Sequence, residues 1–284
     1  MPRDRRRSLI LRIVFTLTAA LPLLGSLLLA TGCATVRPAA DPETLWKEYE
    51  QAVAAAKYPT PQHVSRNLVP ITTFTPGLVW DEKHEKVLMG TWTKAKYYPG
   101  TPPYETPLGA QTWLTAVPFL QQFCRKTGLQ GDALRLRIAQ RLGIPPDSTN
   151  DVIVQMWIDP HTFFRPCPDP EINDAECQVN LTAGPVDTAA PCPWAAALID
   201  QLSGKFVTVA QSQLEWTCSN WTSSYPPGEP RKSYPWTALG YTYDWGGKDF
   251  YGESEFVAFK DTPVVIESIT TTDAYCAPVP AGRR

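Results

Sequence analysis

Apolar residues recur at four-residue steps in "DPETLWKEYEQAVAAAK", at Leu45, Tyr49 and Val53, with Asp41 and Pro42 just ahead of them. That stripe, with an acidic capping residue and a proline in the first turn, predicts a helix that packs by one face. The same spacing returns at Leu134, Ile138 and Leu142 in "GDALRLRIAQRLGIPP", which opens near Asp132 and is closed by Gly143 and Pro145. Between them "TWLTAVP", from Thr112, predicts a strand and "PFLQQFCRKTG" a helix that follows it. "LVWDEKHEKVLMGTWT" reads as a hairpin, two apolar runs around a polar turn from Asp81 to Lys86, which makes His84 a solvated turn residue. "DVIVQMWIDP" is β-branched and aromatic, as a buried strand requires. "PWAAALIDQLSGKFVTVAQSQLEWTCSNW" starts as a helix and then loses its period. "YPWTALGYTYDWGG", "ESEFVAFK" and "TPVVIESITTT" predict two or three antiparallel strands with Gly and Asp turns. With no internal repeat or coiled coil, the expected fold is α+β: a single domain, 41–284, with a mainly antiparallel sheet and a few flanking helices.

Composition adds two constraints. The chain holds 29 Pro, spread through its middle and end, which predicts fixed loops and short elements rather than long helices. All ten Trp lie beyond residue 45, so the predicted domain can bury a sizeable aromatic core.

The first 33 residues are patterned differently. "MPRDRRRSLILR" is basic, Ile13 to Gly32 is uncharged, and the run ends in "LLLATGC". The order of basic, apolar and small residues followed by cysteine resembles the lipobox signal peptide of bacterial lipoproteins. That resemblance implies cleavage after Gly32, removal of 1–32, lipidation of Cys33, and a lipidated tether over 33–40. The alternative is an uncleaved signal anchor, since twenty uncharged residues can cross a bilayer. Several acyl chains on one residue would hold the protein durably on a membrane in the bacterial cell envelope, with the domain on the extracytoplasmic side. Cleavage removes five Arg and Asp4, leaving 21 basic and 27 acidic residues and a net charge of about −6. No nucleic-acid partner is expected of such a domain.

Export also changes how the cysteines read. Cys124, Cys167, Cys177, Cys192, Cys218 and Cys276 are an even set in an oxidising compartment, which predicts up to three disulfides. Cys167 with Cys177 would close a short Pro-rich loop and Cys192 with Cys218 a longer one. Zinc is the alternative, but no CxxC or HxxxH spacing presets a tetrahedral site.

The densest chemistry lies in "HTFFRPCPDPEINDAEC" (161–177). Asp169, Glu171, Asp174 and Glu176 are hard oxygen ligands, so a calcium-stiffened loop stands beside a disulfide-bounded acidic loop, although the EF-hand order is missing. His161 with Asp159 is either a general base with its carboxylate or a capped turn at a strand end. Tyr241, Tyr243 and Trp245 would share one face of a strand, where they either bind a sugar ring or fill a core. Asp244 and Glu255 are then the carboxylates available to a glycosidase. Arg125, Lys126, Arg135, Arg137 and Arg141 form a basic segment, read as a solvated helix face or an anionic-lipid contact. No P-loop, dinucleotide fingerprint or HExxH motif occurs, and no cofactor is expected. "RPCPDPEI" and "YPWTALGYTYDWG" resemble segments of uncharacterised bacterial envelope proteins, a likeness that implies no activity.

The expectation is thus a lipid-anchored envelope protein that binds a ligand or supports structure, with an envelope glycan or a protein as partner. The alternatives are an envelope hydrolase acting through His161 or the carboxylates, and a calcium-stabilised adhesion or assembly factor. A hydrolase requires at least two of the named groups in one cleft.

Overall fold

A computed structural model describes residues 41–179 and 210–278 of the chain. The leader, Cys33, the tether and Cys192 lie outside the described residues. Among the described residues the fold is α+β, as the sequence predicts: eight antiparallel strands in one sheet, with five α-helices. No helix among them is long and apolar enough to cross a membrane.

Helix α1 spans Pro42–Ala56, and Asp41 caps it by accepting the Thr44 amide at 3.1 Å. The predicted stripe turns inward: Tyr49 and Val53 are buried with Ala52 and Ala56, and Leu45 packs beside them. The Tyr49 hydroxyl donates to the Ser233 carbonyl at 2.8 Å, so a polar tip on this apolar face is satisfied across the fold.

The strands are β1 (Val87–Thr93), β2 (Tyr104–Pro107), β3 (Thr112–Ala116), β4 (Val152–Ile158), β5 (Phe163–Phe164), β6 (Tyr241–Tyr243), β7 (Tyr251–Ala258) and β8 (Pro263–Thr271). Their order is β2-β8-β4-β1-β3-β7-β5, and β6 pairs with the first half of β7, along the edge whose last residues pair with β5. Alternation places Val87, Met89, Val154, Met156, Phe256 and Ile266 in one core layer. Trp92 and Ile153 face the opposite way, into a layer formed by α2 (Phe119–Thr127), α3 (Gly131–Arg141) and α5 (Thr272–Cys276). The Cys124–Cys276 disulfide ties α2 to α5 within that layer. Helix α4 (Gln211–Ser224) joins α1 over a third, aromatic cluster.

Two expectations need correction. The hairpin before β1 is shorter than expected: the Leu88 amide donates to the Val79 carbonyl at 2.8 Å and the Asp81 amide to the Lys86 carbonyl at 3.0 Å, but the first arm makes only an isolated bridge, Trp80 to Val87, and no strand. His84 does sit exposed in the turn. The basic segment is a solvated face only in part: Lys126 is exposed and Arg135 pairs with the exposed Asp132, but Arg137 and Arg141 turn inward onto carboxylates.

Candidate functional site

The strand β4 delivers the chain into the acidic stretch, where three different structures are found in place of one site. Asp159 accepts the His161 amide at 2.9 Å and caps a 3-10 turn over Pro160–Thr162, leaving the His161 side chain exposed. Cys167 and Cys177 form the predicted disulfide. Cys218 is disulfide-bonded as well. The four carboxylates do not converge: among the described residues no group of three or more His, Cys, Asp and Glu side chains is placed to hold a metal ion.

The loop is instead wrapped on a buried guanidinium. Arg165 is 0% exposed and donates to the carbonyls of Glu171 (3.0 Å), Asp174 (2.8 Å) and Val69 (3.5 Å). Burial pulls its pKa down to about 10, and Asp174, Asp169 and Glu171 act against that shift. Asp169 is buried too and accepts the Gln178 amide at 3.2 Å; desolvation raises its pKa to about 6. Glu176 pairs with Arg66 at 2.7 Å. A cation does organise the acidic loop, but the chain supplies it.

The aromatic constellation is also mostly core. The Tyr241 hydroxyl donates to the His63 carbonyl at 2.8 Å, and the Trp245 indole to the Ile144 carbonyl at 3.0 Å. Tyr243 stacks on Phe250, with centroids 5.6 Å apart. As alternation predicts, Asp244 and Thr242 point away from these rings. Asp244 receives both Arg137 terminal nitrogens, at 2.8 and 2.7 Å, and the neighbouring Arg141 donates to Glu253 at 2.7 Å. Both guanidinium groups lie over the Phe123 ring, at 4.7 and 4.6 Å. Asp244 is therefore committed to an ion-pair network that locks α3 onto β6 and β7.

Glu255 behaves differently. It lies on β7 opposite Thr115 of β3, and it lines a cleft of about 960 Å3, near the upper end of the size usual for small-molecule sites. The floor is the β1 and β3 surface around Gly90–Thr93 and Thr112–Thr115. The walls come from 97–99, 104–111, 142–144, the end of α4 and 234–236. Gly143, whose φ of 67° ends α3, brings one wall against Tyr243. Glu255 is 8% exposed, its Oε2 is buried without a hydrogen-bond partner, and the Trp236 Nε1 is likewise unpartnered. Burial raises its pKa to about 8; the Trp236 indole acts weakly the other way without closing a well-formed hydrogen bond. The Trp236 ring is held edge-on to Trp113, at 5.6 Å, and its backbone is bracketed by the Tyr225 hydroxyl, which donates to the Trp236 carbonyl and accepts its amide.

Burial favours the protonated form of Glu255 in the native state. Between the usual 4.5 and about 8 the unfolded chain holds fewer protons at Glu255 than the native state, so stability falls as pH rises through that window. The slope is at most about 1.4 kcal/mol per pH unit. Urea unfolding of Glu255→Gln should lack this alkaline loss; an unchanged slope in the variant would mean Glu255 is already ionised in the fold.

Of the sequence candidates, only Glu255 and Tyr243 line the cleft. Reading the sequence did not find Trp113, Trp236, Tyr98, Tyr104 or Tyr234, which come from separate segments with no shared period. Comparisons with protein-family models, curated proteins and solved structures find no match for this chain.

Proposed function

We propose that the protein is a lipid-anchored binding protein of the bacterial cell envelope, tethered through Cys33, which takes a small ligand into the cleft over β1 and β3. The observation that carries the binding half is the cleft itself: a preformed, aromatic-walled space lined by one buried carboxyl, Glu255, whose Oε2 has no hydrogen-bond partner. The hydrolase reading is weaker, because Asp244 is held by Arg137 and His161 is exposed elsewhere, which leaves Glu255 without a second candidate carboxylate or histidine among the described lining residues.

The anchoring half rests on the lipobox resemblance and has its own test. Intact mass of the membrane-purified protein should show a chain that starts at Cys33 and carries acyl groups, while Cys33→Ala should accumulate unacylated with an unchanged near-UV spectrum. Acyl label on the Cys33→Ala protein would overturn it. For the cleft, soluble peptidoglycan fragments are the probe: tryptophan fluorescence should change saturably with no release of reducing ends. Reducing ends that disappear in Glu255→Gln protein would favour the hydrolase.

A further inference from the structure

Resting on the cleft as a ligand site, we infer that it selects an organic ammonium group, seated against the rings of Trp113 and Trp236 and facing the Glu255 carboxylate. Charge complementarity points this way. Among the described lining residues Glu255 is the only Asp, Glu, Lys, Arg or His, so no basic side chain neutralises it. Outside the lining set, Lys96 lies over the outward Tyr97 ring at the rim. Arg141, from α3, is taken by Glu253, Asp244 and the Tyr251 carbonyl. Arg165 lies over Phe256; its Nε and Nη2 are taken by loop carbonyls, and its Nη1 is buried without a hydrogen-bond partner.

A desolvated carboxylate without a countercharge is costly, and a bound cation removes that cost. The walls offer what a cation with an alkyl shell needs. Trp113, Trp236, Tyr98, Tyr104, Tyr234 and Tyr243 all line the cleft, and aromatic faces attract ammonium groups most strongly where water is excluded. Burial holds the Tyr98 and Tyr243 phenols above their ordinary pKa, so they remain neutral rings across the range where Glu255 titrates. An anionic ligand meets no donor cation there, and a neutral one leaves the Glu255 Oε2 to be satisfied by a single chance hydroxyl.

Because Glu255 is mostly protonated at neutral pH, seating a cation beside it expels its proton to solvent: the O–H bond breaks, the carboxylate keeps the electron pair, and a buffer base takes the proton. Binding must therefore tighten as pH rises toward about 8 and must release close to one proton near neutrality.

The test is calorimetric titration of the full chain in lipid nanodiscs with choline and with its uncharged carbon isostere, dimethylbutanol, in two buffers of different ionisation enthalpy. Choline should bind at least about tenfold tighter than the isostere. Its heat should differ between buffers by about one proton. In Glu255→Gln protein, which keeps the side-chain shape, the preference and the proton release should both vanish. Equal affinity for the two probes, or a choline preference that survives in Glu255→Gln protein, would overturn the ammonium inference while leaving the cleft a ligand site. No binding by choline, isostere or peptidoglycan fragments would overturn both.

Discussion

Arg165→Met should lower the unfolding free energy by about 3–5 kcal/mol. Arg165 is fully buried, and its Nε and Nη2 close onto the carbonyls of Glu171, Asp174 and Val69, which draws the acidic loop and the segment before β1 around one point, while Nη1 has no partner. Methionine fills much of the same volume but donates nothing. Three carbonyls then lose their donor, and Asp174, Asp169 and Glu171 lose the positive charge that they face. Arg165→Lys should recover little, because one ammonium cannot span three diverging carbonyls as a planar fork does. Urea unfolding of both variants, with the Cys167–Cys177 disulfide intact, measures the effect. A loss below about 1 kcal/mol in Arg165→Met would mean that the disulfide alone shapes the loop.

Asp244→Ala should cost about 3–5 kcal/mol for a related reason: it leaves a half-buried guanidinium, Arg137, and part of a second, Arg141, without the carboxylate that both face. The side chains are 18%, 22% and 2% exposed for Arg137, Arg141 and Asp244, so solvent cannot replace the lost partner in full. Adding Arg137→Met to Asp244→Ala should restore about half of the loss, since the double variant no longer strands a charge. The same pair separates structure from catalysis. If Asp244 were a catalytic carboxylate, Asp244→Asn would abolish an activity while leaving the urea midpoint unchanged; the ion-pair geometry predicts the reverse, a lower midpoint and unaltered choline binding.

Glu255 and Asp244 show why charge and spacing were insufficient to choose a site. Both are carboxylates in one aromatic stretch, eleven positions apart, and both are buried. They differ only in what the rest of the chain brings to them: α3 carries two arginines to Asp244, while β3 and the 234–236 segment bring Thr115 and Trp236 to Glu255. Nothing in "GYTYDWGGKDFYGESEF" encodes that difference. The acidic loop holds the same lesson with the opposite outcome, because the cation expected from outside is Arg165, four residues beyond His161 and in plain view in "HTFFRPC". An arginine between two phenylalanines and two prolines is itself a signal of burial, and burial of a guanidinium demands acceptors close by.

By itself the sequence determined the α+β class, helix α1 with its Asp41 cap and Tyr49 stripe, α3 closed at Gly143, and strands β3, β4, β7 and β8, and it suggested the Cys167–Cys177 bridge. Each of these is written in a period, a cap or a short loop within roughly ten to fifteen neighbouring residues, where local geometry decides the outcome. The tertiary structure alone decided the strand order, the pairing of Cys124 with Cys276, the inward turn of Arg137 and Arg141, and the cleft that gathers residues from Gly90 to Glu255. Those features depend on which distant segments share one desolvated space, and both the worth of a charge and the cost of leaving it unpaired are set by that space rather than by its neighbours in the chain.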